Sequence, residues 1–388
     1  MSTVQPIETT GLPQPSPAFS SIVDSLPDPV MVVSAWNPGD PSDRRLVFAN
    51  ASAREVLRIV SLGGALVSAI RHPQVLEAVD ESLFQGLAGE AAYETGGAQD
   101  RFWRVLTRPL ESPTGGARLA LVVIRDETDS RRNERMRADF LANASHELRT
   151  PLASLTGYIE TLRGHAKDDA EARERFLGVM AAQAGRMARL IDDLMSLSRI
   201  ELNEHIAPAG RVDVGQVTLD VVDALAPLAA EKGVRLQTTI VPRGQAMITG
   251  DRDQIVQVTQ NLIDNALKFS PAGGTVEIEV ADNVTAEAAL RATRPGAARL
   301  SLLTPDLLGG ERFVLFRCAD HGPGIAREHL PRLSERFYRV EGQKSGERLG
   351  TGLGLAIVKH IINRHRGGLA IEAVEGLGAT FTAYLPRV

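Results

Sequence analysis

A single cysteine, Cys318, stands in 388 residues. It has no partner for a disulfide within the chain and no second thiol for a metal site, so a reducing compartment, the cytoplasm, is expected. Basic charge is not in excess either: 43 Lys and Arg stand against 48 Asp and Glu, a net charge of −5. Without a positive field to gather phosphates along a duplex, a nucleic-acid partner is excluded. Long apolar runs are missing. The longest, Ile59 to Ile70, is closed by Arg58 and Arg71 and falls short of the roughly 20 residues that cross a bilayer, so no transmembrane segment is expected. The start of the chain carries Glu8 and no basic run before an apolar core, and is not read as a leader. Met1 to Pro17 is rich in Pro, Ser, Thr and Gln; residues 1–19 are read as a disordered tail.

What is present is 43% hydrophobic, enough for a core in each of the two or three units that this length implies. Residues 20–127 mix short apolar runs at Val30 to Val33 and Leu46 to Phe48, helical spacing through Ala51 to Leu87, and strand-like runs at Phe102 to Leu106 and Leu119 to Ile124. A small α+β domain is implied. With the stretch Leu26-Pro27-Asp28-Pro29-Val30-Met31-Val32-Val33 ahead of Asn50, it resembles a PAS sensor domain; a generic α+β module that only dimerises is the alternative. A cysteine-linked flavin is excluded because Cys318 lies far away, and His72, between Arg71 and Pro73, reads as a solvated loop residue.

Residues 128–207 show almost no strand signal. Met136, Leu141, Ala144, Leu148, Leu152, Leu155, Ile159 and Leu162 recur mostly at steps of three and four, as do Phe176, Met180, Met187, Leu190, Leu194 and Leu197, with a polar turn from Gly164 to Asp169 between them. An isolated antiparallel helical hairpin covers such stripes poorly. Two hairpins from two chains forming a four-helix bundle cover them, so a homodimer is expected.

From 208 to 388 amphipathic helices alternate with strands at Thr275 to Val280, Phe313 to Cys318 and Thr380 to Leu385, the pattern of an α/β sandwich. The segment Asn283 to Glu311 interrupts it and reads as a surface excursion.

Polar groups interrupt these patterns at five places. Ser145-His146-Glu147-Leu148-Arg149-Thr150-Pro151-Leu152 sets an imidazole, nucleophilic near neutral pH, beside a carboxylate, with Thr150 one turn on. Alone, a helical His–Glu pair is usually just solvated. In Gln260 to Phe269, Asn261, Asn265 and Lys268 share a helix face; two amides and an ammonium suit a phosphate with Mg²⁺, though a solvated face is the plainer reading. Asp320-His321-Gly322-Pro323-Gly324 follows a strand and lets backbone approach closely while Asp320 accepts from an exocyclic amine, or is a simple tight turn. Gly350-Thr351-Gly352-Leu353-Gly354-Leu355-Ala356 opens a helix whose amides face an anion, and Gly376-Leu377-Gly378-Ala379-Thr380 is a hairpin or brings Thr380 to the nucleotide.

Together these strings resemble the phosphoacceptor box of HisKA-type histidine kinases and, in order and spacing, the N, G1, G2 and G3 boxes of their Bergerat-type ATPase domain; Glu335-Arg336-Phe337-Tyr338 resembles the F box. The resemblance implies a sensor kinase of two-component systems that moves the γ-phosphate of ATP to His146 and on to an aspartate of a response regulator receiver domain. It implies Glu147 as general base, and Glu147 with Thr150 in a reverse phosphatase activity. It implies Mg²⁺ held through Asn265 and adenine recognised by Asp320. Asn261, Lys268, Phe269 (stacking), Gly322, Gly324, Gly350, Thr351, Gly352, Leu353, Gly354 and Thr380 complete the nucleotide site, under a lid from Arg339 to Arg348. Phe140-Leu141-Ala142-Asn143 and Gly157 to Leu162 look like the phosphate-regulon sensor kinases. An ATPase of the gyrase or chaperone kind shares the nucleotide motifs but has no use for the His146 box.

Overall fold

The computed structural model describes residues 17–95, 100–111, 116–203, 206–306, 309–340 and 350–388, so the expected tail through residue 16 lies outside the described residues. Helix α1 (Pro17–Asp24) already begins inside the span read as tail. The chain forms two compact units, Met1–Leu141 and Ala142–Val388.

In the first unit, β1 (Val30–Ala35), β2 (Arg45–Ala49), β3 (Gly89–Thr95), β4 (Arg101–Leu110) and β5 (Arg118–Asp126) form an antiparallel sheet of order β2-β1-β5-β4-β3. Its core contains Met31, Leu46, Leu66, Val79, Val105 and Ile124. The helical spacing resolves into α2 (Ala51–Val56), α3 (Leu66–Ala69) and α4 (Pro73–Asp80), separated where Gly63-Gly64 and Pro73 break the run. Asn50 is fully buried. Its amide oxygen accepts from Val30 N and Ala53 N, both at 2.9 Å, and its amide nitrogen donates to Val23 O and Asp28 O. One side chain therefore ties the Leu26 to Val33 stretch to the start of α2. Strand β3 escaped the sequence reading because Glu90, Ala91, Ala92 and Glu94 favour helix; pairing with β4 overrides that preference. His72 departs from its reading too. Its ring stacks on Tyr93 with centroids 5.0 Å apart, and Nδ1 is buried with no hydrogen-bond partner among the described residues.

Helices α5 (Thr128–Arg163) and α6 (Ala170–Leu202) flank the expected turn, and Asp169 caps α6 by accepting from Ala172 N at 2.9 Å. Leu190 and Leu197 are buried, whereas Met136, Leu141, Leu152, Ile159, Ile191 and Met195 are exposed on the single chain. Among the described residues no helix is long and apolar enough to cross a membrane.

The remainder of the second unit comprises β6 (Arg211–Asp213), α7 (Val214–Glu231), β7 (Arg235–Ile240), β8 (Met247–Thr249), α8 (Arg252–Phe269), β9 (Thr275–Val284), α9 (Ala286–Ala289), β10 (Ala298–Leu303), β11 (Phe313–Ala319), α10 (Gly354–Arg364), β12 (Gly368–Val374) and β13 (Gly378–Pro386). Strands β6 and β8 pair alone; the others form a sheet of order β10-β12-β13-β11-β9-β7, antiparallel except for β7 with β9. Alternation sends Cys318 toward α8, its thiol reaching Leu262 O, and sends Phe313, Leu315 and Tyr384 to the opposite face beneath Ala289 of α9. The segment Asn283 to Glu311 is therefore no mere surface excursion. It adds an edge strand and covers part of the sheet face away from the helices.

Candidate nucleotide site and histidine helix

A cavity of about 630 Å³ opens in the second unit among α8, the turn after β11 and the loop before α10, a size suited to a nucleotide. Asn261, Asn265, Lys268, Phe269, Asp320, Gly324, Gly350, Thr351, Gly352 and Gly354 all line it. Three strings widely separated in sequence thus share one space.

Of the lining residues, Asp320 is buried. Its Oδ1 accepts from Gly322 N at 2.9 Å and Ala379 N at 3.3 Å, while Oδ2 has no hydrogen bond among the described residues. Burial pushes its carboxyl above the ordinary range; the two backbone donors, Arg294 and His321 pull the other way. Gly322 does not line the cavity but fits against the end of α8, where an added Cβ would stand 2.5 Å from Phe269 O. Thr380 does not line it either. Ala379 and Phe381 point there, so strand alternation turns the Thr380 hydroxyl to the other face, where Arg294 Nε donates to it at 2.9 Å.

Elsewhere in the lining the glycine loop enters α10 without a side-chain cap among the described residues, leaving first-turn amides for an anion. Leu353 occupies the cap position with its side chain fully buried, anchoring the loop rather than lining the cavity. Gly352, at φ 77°, packs against the Phe337 backbone, and its carbonyl accepts from Phe337 N at 2.9 Å. Asn261 Nδ2 reaches Gly354 O at 3.5 Å. Lys268 Nζ lies 4.7 Å from the Phe269 ring centroid. Burial chiefly, then Arg339, with Lys232 and Arg186 adding, holds the Lys268 ammonium below its ordinary value against the pull of Asp264. An excess of positive charge gathers where a polyanion would sit.

His146 is exposed on α5, and Thr150 Oγ1 donates back to His146 O at 3.2 Å. Pro151, inside the helix, supplies no N–H to the Glu147 carbonyl one turn earlier. Glu147 Oε2 accepts from Arg186 at 3.0 Å and from Arg339 at 2.8 Å; Oε1 has no hydrogen bond among the described residues. Arg339 also lines the cavity and reaches Thr351 O at 3.5 Å, so one guanidinium touches both the histidine box and the glycine loop. Of the expected lid, Arg339 and Val340 line the cavity, and 341–348 lie outside the described residues.

Asp193 was missed by sequence reading. It accepts from Thr351 Oγ1 at 2.7 Å, and burial raises its carboxyl from the ordinary value. Arg186 was missed as well, while Tyr338, read only as part of the F-box string, lines the cavity. Asp193 and Arg186 sit on α6 amid ordinary helix-surface polar residues, and only their tertiary neighbours distinguish them.

Residues 136–203 match the His Kinase A (phospho-acceptor) domain, and residues 250–388 match the Histidine kinase-, DNA gyrase B-, and HSP90-like ATPase domain. The chain belongs to the sensor histidine kinases of two-component systems and is an ATP-using protein histidine kinase. It is 33% identical over 360 residues to the phosphate regulon sensor protein PhoR of Pseudomonas aeruginosa, covering 88% of this chain and 70% of that protein. It is 34% identical over 270 residues to the sensor-like histidine kinase SenX3 of Mycolicibacterium smegmatis, covering 70% of this chain and 62% of that protein. The solved Acinetobacter baumannii histidine kinase AdeS aligns with a TM-score of 0.43 at 24% identity, over 62% of this chain and 98% of the other.

Proposed function

We propose that this kinase phosphorylates His146 from ATP held in the cavity and passes the phosphoryl group to an aspartate of a response regulator. The carrying observation is that one cavity combines a buried carboxylate with an uncapped helix N-terminus and Lys268. Adenine calls for an acceptor and triphosphate for amides and a cation. In this reading Asp320 accepts from the exocyclic amine, Phe269 stacks on the base, and the Gly350 to Gly354 amides with Lys268 hold phosphate. Thr380 acts from behind the cavity by anchoring its strand, and Gly322, Gly324 and Leu353 fix the backbone.

Among the described residues no group of three or more His, Cys, Asp or Glu side chains is arranged to hold a metal. The amides of Asn265 and Asn261 fit an ion that takes most of its ligands from phosphate and water, as Mg²⁺ does. Bound there, Mg²⁺ would neutralise phosphate charge. The His146 ring nitrogen forms a P–N bond as the bond to ADP breaks, and Glu147 receives the ring proton. Glu147 with Thr150 serves the reverse hydrolysis of the regulator's phosphoryl group.

The exposed apolar residues of α5 and α6 support a homodimer closed as a four-helix bundle. We assign 1–19 to a tail, 20–127 to a PAS-like sensor, 128–207 to dimerisation and phosphotransfer, and 208–388 to ATP binding. The likeness to PhoR supports a role in phosphate signalling, and a cytoplasmic location suits the free, buried Cys318. The test is to incubate the chain with γ-labelled ATP and Mg²⁺. Label stable in alkali and lost in acid is expected; bound ATP without label would overturn the reading.

The Lys268 shift makes ATP binding depend on pH. Its proton is loosely held without an anion, and triphosphate strengthens it, so binding takes up protons. Affinity is expected to fall as pH rises through the lowered Lys268 pKa, and to fall at the other limit as pH drops through the raised Asp320 pKa. Calorimetry on the alkaline side, in buffers of different ionisation enthalpy, should show net uptake. Net release there would contradict it.

A further inference from the structure

Strands β9 and β11 are antiparallel neighbours, which about two to five residues suffice to join. The segment that joins them runs far longer. We infer that it delivers a positioning residue, Arg294, which fixes Asp320 for recognition of the nucleotide base from the sheet face opposite the cavity. The inference rests on the reading of Asp320 as the group that accepts from the exocyclic amine.

Arg294 Nη2 donates to Asp320 O at 2.5 Å and to Ala379 O at 3.4 Å, Nη1 donates to Leu377 O at 2.5 Å, and Nε donates to Thr380 Oγ1 at 2.9 Å. One guanidinium therefore binds the end of β11 to the start of β13. These are the strands whose junction aims the carboxylate: Asp320 N donates to Ala379 O at 2.9 Å, and Ala379 N donates to Asp320 Oδ1 at 3.3 Å. The Asp320 carbonyl is so closely approached that a Cβ on Gly378 would stand 2.1 Å from it. A planar fork with five donors can hold acceptors spread over two strands; an ammonium on a flexible stem cannot.

The turn that carries Arg294 is itself held. Glu372, buried on β12, accepts through Oε2 from Thr293 N at 3.0 Å, Thr293 Oγ1 at 2.8 Å and Arg294 N at 3.3 Å. Edge strand β10 adds Arg299, 3.8 Å from Glu372 Oε1. Sheet, turn and guanidinium thus form one connected brace behind the base-recognising end of the cavity.

The experiment measures affinity of the full chain for ATP and for inosine triphosphate, which carries an oxygen in place of the amine, together with the melting temperature. Arg294→Ala and Asp320→Asn are each expected to lower the ratio of ATP to inosine triphosphate affinity by about tenfold, the effect of misplacing one hydrogen bond to a charged group. Arg294→Lys should lower it as well, and carries the test if Arg294→Ala does not fold. The double variant should fall no further than Asp320→Asn alone. Equal weakening of both nucleotides with an unchanged ratio, or additive losses in the double variant, would overturn the inference while leaving Asp320 as the base reader. An unchanged ratio in Asp320→Asn would remove the reading itself and the inference with it.

Discussion

His146→Gln should leave no detectable phosphoprotein while ATP binding and melting temperature stay at wild-type values. The side chain is exposed, so its replacement removes no packing, and exposed helix substitutions of this kind change stability by less than about 0.5 kcal/mol. Gln retains hydrogen-bonding capacity at similar size but has no nitrogen lone pair free to attack phosphorus. Loss of the nucleophile should lower the labelling rate by on the order of 10³-fold or more. The measurement pairs a labelling time course with calorimetric titration of ATP. Label on His146→Gln at even a tenth of the wild-type rate would place the acceptor elsewhere. Equal loss of ATP binding would mean that His146 belongs to the nucleotide site.

The division between what could and could not be read from sequence follows the range of the forces. Helices α5 and α6 and their turn were legible because apolar spacing and a polar turn are local signals. The residues of the candidate nucleotide site could be picked out for a different reason: helical spacing puts Asn261, Asn265 and Lys268 on one face, and glycines mark turns such as those at Gly324 and Gly352, where φ is positive. Strand β3 was not legible, since its Glu and Ala prefer helix until β4 pairs with them. The 283–311 segment misled because its Ala and Arg content hides both an edge strand and a guanidinium that reaches Asp320 and Thr380. Asp193 and Arg186 likewise acquire meaning only through Thr351 and Glu147, 158 and 39 residues distant. Thr380, expected near the nucleotide from its motif, faces away from the cavity because a strand sends alternate residues to opposite sides.

Gly324→Ala tests the least forgiving backbone position in the cavity. Gly324 has φ 70°, and an added Cβ would lie 1.9 Å from Val374 O and 2.6 Å from the carbonyl carbon, both fixed main-chain atoms. The left-handed conformation alone costs an L-residue about 1–2 kcal/mol. The clash adds to this, because β12 is pinned through its ladder with β13 and cannot recede without disturbing it. The turn must therefore move into the cavity or unravel, taking the Gly322 donor from Asp320. A loss of ATP affinity of at least about tenfold is expected, with a lowered melting temperature. Gly244 supplies the contrast: it also has positive φ, 84°, but an added Cβ meets nothing within 4 Å. Gly244→Ala should lower stability by the conformational cost alone and leave ATP affinity unchanged. Similar ATP affinities for the two variants would mean that the Val374 contact relaxes freely and that the turn does not set the shape of the cavity.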